Sequence, residues 1–394
     1  MLVLAAGILS CGMCAALFYL FSPLTSAAAR NDLATNTFWG SAAGLGVVFG
    51  AALTWQAVNL LRGHESRSPA QIFPRAIFFV AAFLIVIPLG LLAQNVPVIA
   101  AYVFPPWHFL AALIPPLGVL AFAARRLGET SGLRALLTAL TWGAFGATPI
   151  AIVMELASGA LLLLVATIVI ALSPNSQRLL DQMQSMLSQS SGMLDLQAVT
   201  GLMTNPAVTI GVLVYFAGIV PLIEETLKTF VLAFIDPKRT QLQDAVLWGI
   251  AAGAGFAMIE NNFNTTSVLS LWAITLFTRL GATTMHVANG VTMGRGWHAA
   301  RVEGRWSKLF SAFLTSVFFH ALWNGLAIAL SASALYLSSN PKVGWPSLAP
   351  AGVLMVAIAA ALIVLAILGA VWIAYSVRQA RAPAQNLLKG EILS

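Results

Sequence analysis

Ten stretches of this chain are dominated by apolar residues: 1–22, 38–61, 74–93, 98–124, 135–172, 208–235, 243–264, 268–294, 307–332 and 350–376. Most have the ~20-residue length that carries an α-helix across a hydrocarbon core. Inside lipid every backbone polar group must be satisfied internally, and runs this long and apolar do so as helices. The pattern therefore predicts an all-α fold, a polytopic membrane helix bundle of about ten transmembrane helices. The run 135–172 is too long for one straight span and Glu155 interrupts it, so it reads as one crossing plus a re-entrant or interfacial piece. In the longest connection, 173–207, Leu179, Leu180, Met183, Met186 and Leu187 recur at helical spacing. That spacing predicts an amphipathic helix lying on the outer surface or covering an entrance.

Basic residues cluster in alternate connections. Arg62, Arg67 and Arg75 fall in one, Arg125, Arg126 and Arg134 in the next, then Lys238 and Arg239, then Arg295, Arg301, Arg305 and Lys308, and finally Arg378, Arg381 and Lys389. Arg30, Arg178 and Lys342 are the exceptions. The positive-inside rule then places both termini in the cytoplasm, which agrees with an even number of crossings.

Composition excludes the soluble classes. The 394 residues are 59% hydrophobic and 8% charged, against about 25% charged in a soluble domain. The formal net charge of +7 lies mostly in short loops and gives no sign of a nucleic-acid partner. Cys11 and Cys14 both fall in the first apolar run, which excludes a disulfide framework, and no second pair completes a metal-binding set. That run lacks a basic leader segment and reads as a retained span.

Against this background the ionisable residues at membrane depth stand out, because each costs ~2.5–3.5 kcal/mol at the centre of a spanning helix. They concentrate in four consecutive runs. The first, VYFAGIVPLIEETLKTFVLAFI, holds the adjacent pair Glu224 and Glu225, with Lys228 placed to compensate either of them at i+3 or i+4. Pro221 just upstream removes a helical hydrogen bond and is expected to free the carbonyl of Ala217. In the second run, Gly249, Gly253 and Gly255 allow close approach of a neighbouring helix, and Glu260 and Asn261 follow. The third run places Arg279, Thr283 and His286 on one face. The fourth carries His320 and Asn324 one turn apart, two donors suited to a developing oxyanion. Counted along the spans, Glu260 is the outlier, close to the external end.

Four segments in this order, GIVPLIEETLKTF, GAGFAMIENN, RLGATTMHVANG and FFHALWNGLA, resemble the PrsW family of intramembrane proteases. These are distant relatives of the type II CAAX prenyl endopeptidases, whose pattern is EExxxR, FxxxH and HxxxN. The likeness spans 217 to 330. Lys228 stands one residue earlier than the arginine of the CAAX pattern, and Glu260 replaces its second-motif histidine. The resemblance implies peptide hydrolysis in the membrane, with the glutamates essential and a membrane-anchored protein as substrate. In characterised relatives that substrate is an anti-sigma factor cut on its external side, and the setting is a bacterial cytoplasmic membrane. It divides the chain into N-terminal membrane helices of unassigned role (1–134), a membrane segment with an external loop (135–207), a four-helix catalytic core (208–332), and a last helix with a cytoplasmic tail (333–394).

Two chemistries fit these residues. In one, Glu224 or Glu225 acts as general base on water, His286 positions the water or shares its proton, and His320 with Asn324 binds the oxyanion. Glu260, Asn261 and Arg279 then hold these groups in place. In the other, His286, His320 and Glu224 form a His₂Glu zinc site with an open water position. The cofactor is accordingly none or Zn²⁺. A CAAX-type endopeptidase and a proton-coupled transporter are the competing readings. No transporter-like internal repeat supports the latter.

Overall fold

The computed structural model describes residues 1–96, 99–128, 130, 132–171, 206–266, 269–339 and 345–392. The expected amphipathic helix of the 173–207 connection lies outside the described residues. Among the described residues ten long helices match the ten apolar runs: α1 (Leu2–Thr25), α2 (Leu33–Leu61), α3 (Ala76–Gln94), α4 (Ala100–Leu127), α5 (133–171), α6 (206–234), α7 (Leu242–Thr266), α8 (Trp272–Arg301), α9 (Trp306–Ser339) and α10 (Trp345–Ile392). No strand occurs among the described residues. Among the described residues nine are long and apolar enough to cross a membrane; the tenth, α8, is set apart by its polar load. Cys11 and Cys14 are free and exposed on α1.

α5 and α6 are composite and share one device. α5 runs Leu133–Thr141, a π-helical stretch Trp142–Ala147, then Thr148–Ala171. α6 runs Pro206–Val214, a π-helical stretch Tyr215–Ile219, then Val220–Lys228, and continues as the 3₁₀ segment Phe230–Phe234. Each π stretch ends two residues before a proline, Pro149 or Pro221. A π turn bonds i to i−5 and gives the proline ring room that a regular turn lacks. α5 is therefore one continuous helix through Ala171, and the re-entrant break expected in 135–172 is absent from the described residues.

α7 is the hub of the bundle. Val246, Leu247, Ile250 and Ala254 on it are fully buried, as are Leu120 on α4, Leu136 on α5 and Val287 on α8. The glycines of α7 serve two neighbours. A Cβ on Gly253 would collide with the carbonyl of His286 on α8, and one on Gly255 with the carbonyl of Leu140 on α5. Close backbone approach holds α8 against α7, and with it the polar residues of both helices.

Candidate active site

The α7–α8 hairpin sets the first half of the site. Antiparallel pairing puts Glu260, near the end of α7, opposite Arg279, near the start of α8, with Arg279 Nη2 2.7 Å from Glu260 Oε2. Asn261 ties the pair down: its Oδ1 accepts from Arg279 Nε at 2.9 Å, and its Nδ2 donates to Thr283 Oγ1 at 2.9 Å. Glu260 Oε2 also lies 2.5 Å from His286 Nε2, so the glutamate that looked remote by depth reaches the histidine of the third run. The hairpin, which span boundaries do not reveal, closes that gap.

α6 brings the second half. Glu224, Glu225 and Lys228 are all buried, and Glu225 and Lys228 have no exposed surface. Lys228 Nζ sits 2.8 Å from Glu225 Oε1 and 3.7 Å from Glu224 Oε2, so Glu225 takes most of its compensation. Nζ also lies 2.8 Å from His286 Nδ1 and 4.5 Å from the centre of the Phe256 ring. An ammonium only donates, so His286 Nδ1 is the acceptor and the imidazole proton belongs on Nε2, facing Glu260.

α9 closes the cluster. His320 Nδ1 donates to Glu225 Oε1 at 2.8 Å, which leaves the Nε2 lone pair turned toward Glu224 Oε2, 3.6 Å away. The His286 and His320 rings meet edge to face at 5.2 Å. Asn289, three residues after His286 on the same face of α8, donates to Glu225 Oε1 at 3.1 Å and to the Ser316 carbonyl at 3.1 Å. The sequence reading missed Asn289, although its i+3 spacing from His286 was a usable signal.

Glu225 Oε1 thus gathers Lys228, His320 and Asn289, while Glu224 Oε2 has no hydrogen-bond partner within the protein. Glu225 Oε2 is likewise buried without a partner among the described residues, so the two glutamates differ in that Glu225 is anchored through Oε1 while Glu224 accepts no hydrogen bond.

Asn324 is elsewhere. Its Nδ2 donates to the Phe216 carbonyl at 2.9 Å, and the donor of His320 is committed to Glu225, so the expected joint oxyanion pair is not what these helices present. The π register explains the position of Asn324. Val220 N–H bonds to the Tyr215 carbonyl, five residues back. The next bond in that register would run from residue 221 to Phe216, and Pro221 has no N–H. The orphaned carbonyl is therefore Phe216, where a regular α-helix would have left Ala217, and Asn324 supplies the missing donor.

The donor set suits a metal ion. Glu224, His286 and His320 each offer a ligand atom, and these atoms lie within 4.8 Å of one another. His320 Nε2 and Glu224 Oε2 face each other with free lone pairs, and Glu225 on His320 Nδ1 is the kind of outer partner that fixes a ligating imidazole. His286 is less free, since both of its nitrogens are engaged.

A family model described as "PrsW family intramembrane metalloprotease" matches residues 131–367, more than half of the chain. The match takes in α5 through about the first half of α10, wider than the 217–330 carried by the four motifs, and leaves α1–α4 outside. No curated protein matches the chain, and no solved structure does.

Proposed function

Because this chain belongs to the PrsW family of intramembrane metalloproteases, we propose that it is an endopeptidase hydrolysing a peptide bond of a membrane-anchored protein, with Glu224 as the group that activates water. The observation that carries this reading is the contrast between the two glutamates. Glu225 takes three donors on Oε1, with Oε2 left unpartnered, whereas Glu224 accepts no hydrogen bond among the described residues and turns Oε2 toward the free nitrogen of His320 across 3.6 Å.

A water between these two acceptors donates to both and presents its lone pairs to a scissile carbonyl. Glu224 takes the proton as the oxygen attacks and delivers it to the leaving amine, a role that contributes ~10²–10⁴-fold in rate. Lys228, 3.7 Å from Glu224, holds positive charge beside the oxyanion as it develops. His286 is kept in one tautomer between Lys228 and Glu260, and Arg279 and Asn261 brace Glu260. The alternative is a divalent ion such as Zn²⁺ on the lone pairs of Glu224 and His320, with His286 joining only by releasing Lys228; it would supply Lewis acidity to the water and the carbonyl, and Glu224 would then be a ligand and not the base.

The substrate class is a single-span membrane protein, to which an anti-sigma factor belongs, and the setting is a bacterial cytoplasmic membrane with both termini of the enzyme in the cytoplasm. Co-expression of the enzyme with a tagged single-span reporter tests the reading. Wild type is expected to yield a membrane fragment and Glu224→Gln only the intact, still co-purifying reporter. Undiminished cleavage by Glu224→Gln would overturn it.

A further inference from the structure

The last turns of α8, the Glu303–Arg305 turn and the first turns of α9 enclose a cavity of about 440 Å³ that the proposed hydrolysis does not use. Its wall carries Arg295, His298, Arg305 and Lys308 against a single acid, Glu303. That acid is already engaged: one oxygen pairs with Arg305, and the other lies 3.2 Å from His298 Nδ1. Arg295 and Lys308 have no carboxylate partner among the described residues. Arg295 Nη1 is buried with no hydrogen-bond acceptor, and the nearest compensation for its guanidinium is the face of the Trp372 ring at 5.9 Å. A half-buried guanidinium with one nitrogen left unpaired favours an anion, and its planar fork is shaped for carboxylate or phosphate.

This cavity shares a wall with a second. Thr292 and Trp372, joined by a 2.9 Å hydrogen bond, also line a second cavity of about 380 Å³ between α8, α9 and α10. The second cavity is apolar, bordered by Met285, Ala288, Trp323 and Leu365. Its rim residues Phe319 and Leu368 are exposed on spanning helices, so it opens toward the bilayer. From His298 to Met285 the two cavities follow ~20 Å of α8 at about 1.5 Å per residue, a length suited to an acyl chain. A cationic pocket adjoining an apolar groove across the Thr292–Trp372 pair fits an anionic amphiphile, and basic pockets between membrane helices are known to hold lipid headgroups.

We propose that this composite cavity binds one anionic phospholipid, its phosphate on Arg295 and Lys308 and an acyl chain in the α8–α9–α10 groove. Asn289 lines the groove and bonds Glu225, so the lipid chain lies one side chain from the candidate site. The inference does not depend on hydrolysis, because it concerns binding alone.

Native mass spectrometry of the full-length protein, incubated in detergent with phosphatidylglycerol or with phosphatidylcholine of the same chains, tests it. Wild type is expected to retain one phosphatidylglycerol and no phosphatidylcholine, with retention unaffected by millimolar inorganic phosphate. Arg295→Gln and Lys308→Gln are each expected to lower that occupancy about tenfold. Equal retention of the two lipids, or phosphatidylglycerol retained by the double variant as by wild type, would overturn the proposal. So would inorganic phosphate competing the lipid away, which would mark a soluble-phosphate site. If a variant does not fold, the comparison of the two lipids on wild type still decides.

Discussion

Lys228 Nζ lies 2.8 Å from Nδ1 of His286, and that contact joins α6 to α8 inside the bundle. It fixes the imidazole tautomer and holds a full positive charge next to two carboxylates. Replacing Lys228 by methionine leaves Glu225 buried without its countercharge, and breaking one side of such a pair costs about 3–5 kcal/mol. Thermal unfolding in detergent should show Lys228→Met strongly destabilised. The double variant Lys228→Met, Glu225→Gln should regain much of that stability while remaining inactive. A Lys228→Met protein as stable as wild type would contradict the pairing.

The two glutamates should separate by phenotype. Glu224→Gln is expected to lose cleavage by ~10²–10⁴-fold with little change in unfolding temperature, because its Oε2 has no hydrogen-bond partner to lose. Glu225→Gln is expected to lose both activity and stability, because Lys228, His320 and Asn289 all converge on Oε1. Reporter cleavage and unfolding measured on the same preparations check this, and similar stability losses for the two variants would refute the division of roles.

Metal content gives an independent test of the donor set. On the metal alternative, purified protein is expected to carry about one equivalent of a divalent metal, lost with the His320→Ala substitution, and chelation should abolish cleavage until Zn²⁺ is restored. Glu225→Gln, which removes the carboxylate that orients His320 without touching the donor atoms, should weaken metal affinity by ~10–100-fold. Elemental analysis and metal titration read both effects. Full activity in metal-free protein would remove the ion from the mechanism.

The Asn324–Phe216 bond predicts a rescue. Asn324→Ala leaves the Phe216 carbonyl without its donor and should cost ~1–3 kcal/mol. Adding Pro221→Ala returns a backbone N–H at the position whose π-register partner is Phe216, so the double variant should recover stability relative to Asn324→Ala. Unfolding of the four proteins in the cycle measures the coupling. Additive losses would mean that the proline and the asparagine do not share this carbonyl.

Much of this arrangement is legible in the sequence, and the parts that are not have physical reasons. The ten apolar runs and the pairing of Lys228 with the glutamates follow from hydropathy and from i, i+3 and i, i+4 spacing, both local properties. The reach of Glu260 to His286 follows from how α7 and α8 pair, which no count along one span contains. The place of Asn324 is not legible, because its role depends on a π turn in another helix, and a π register leaves no mark beyond the nearby proline. Asn289 was passed over although it shares a face with His286. Among candidate side chains, it was the one whose signal was present and unused.

The polarity of α8 has a consequence for biogenesis. With Arg279, His286 and Asn289 along one helix, this segment is too poorly lipophilic to partition into the bilayer by itself, and α7 offers the glycine-lined seat that accepts it. Its entry into the membrane is therefore bound to helices made before it. Until α8 is seated, α6 carries its glutamates without the histidine that faces them, so a half-made chain holds only part of the candidate site.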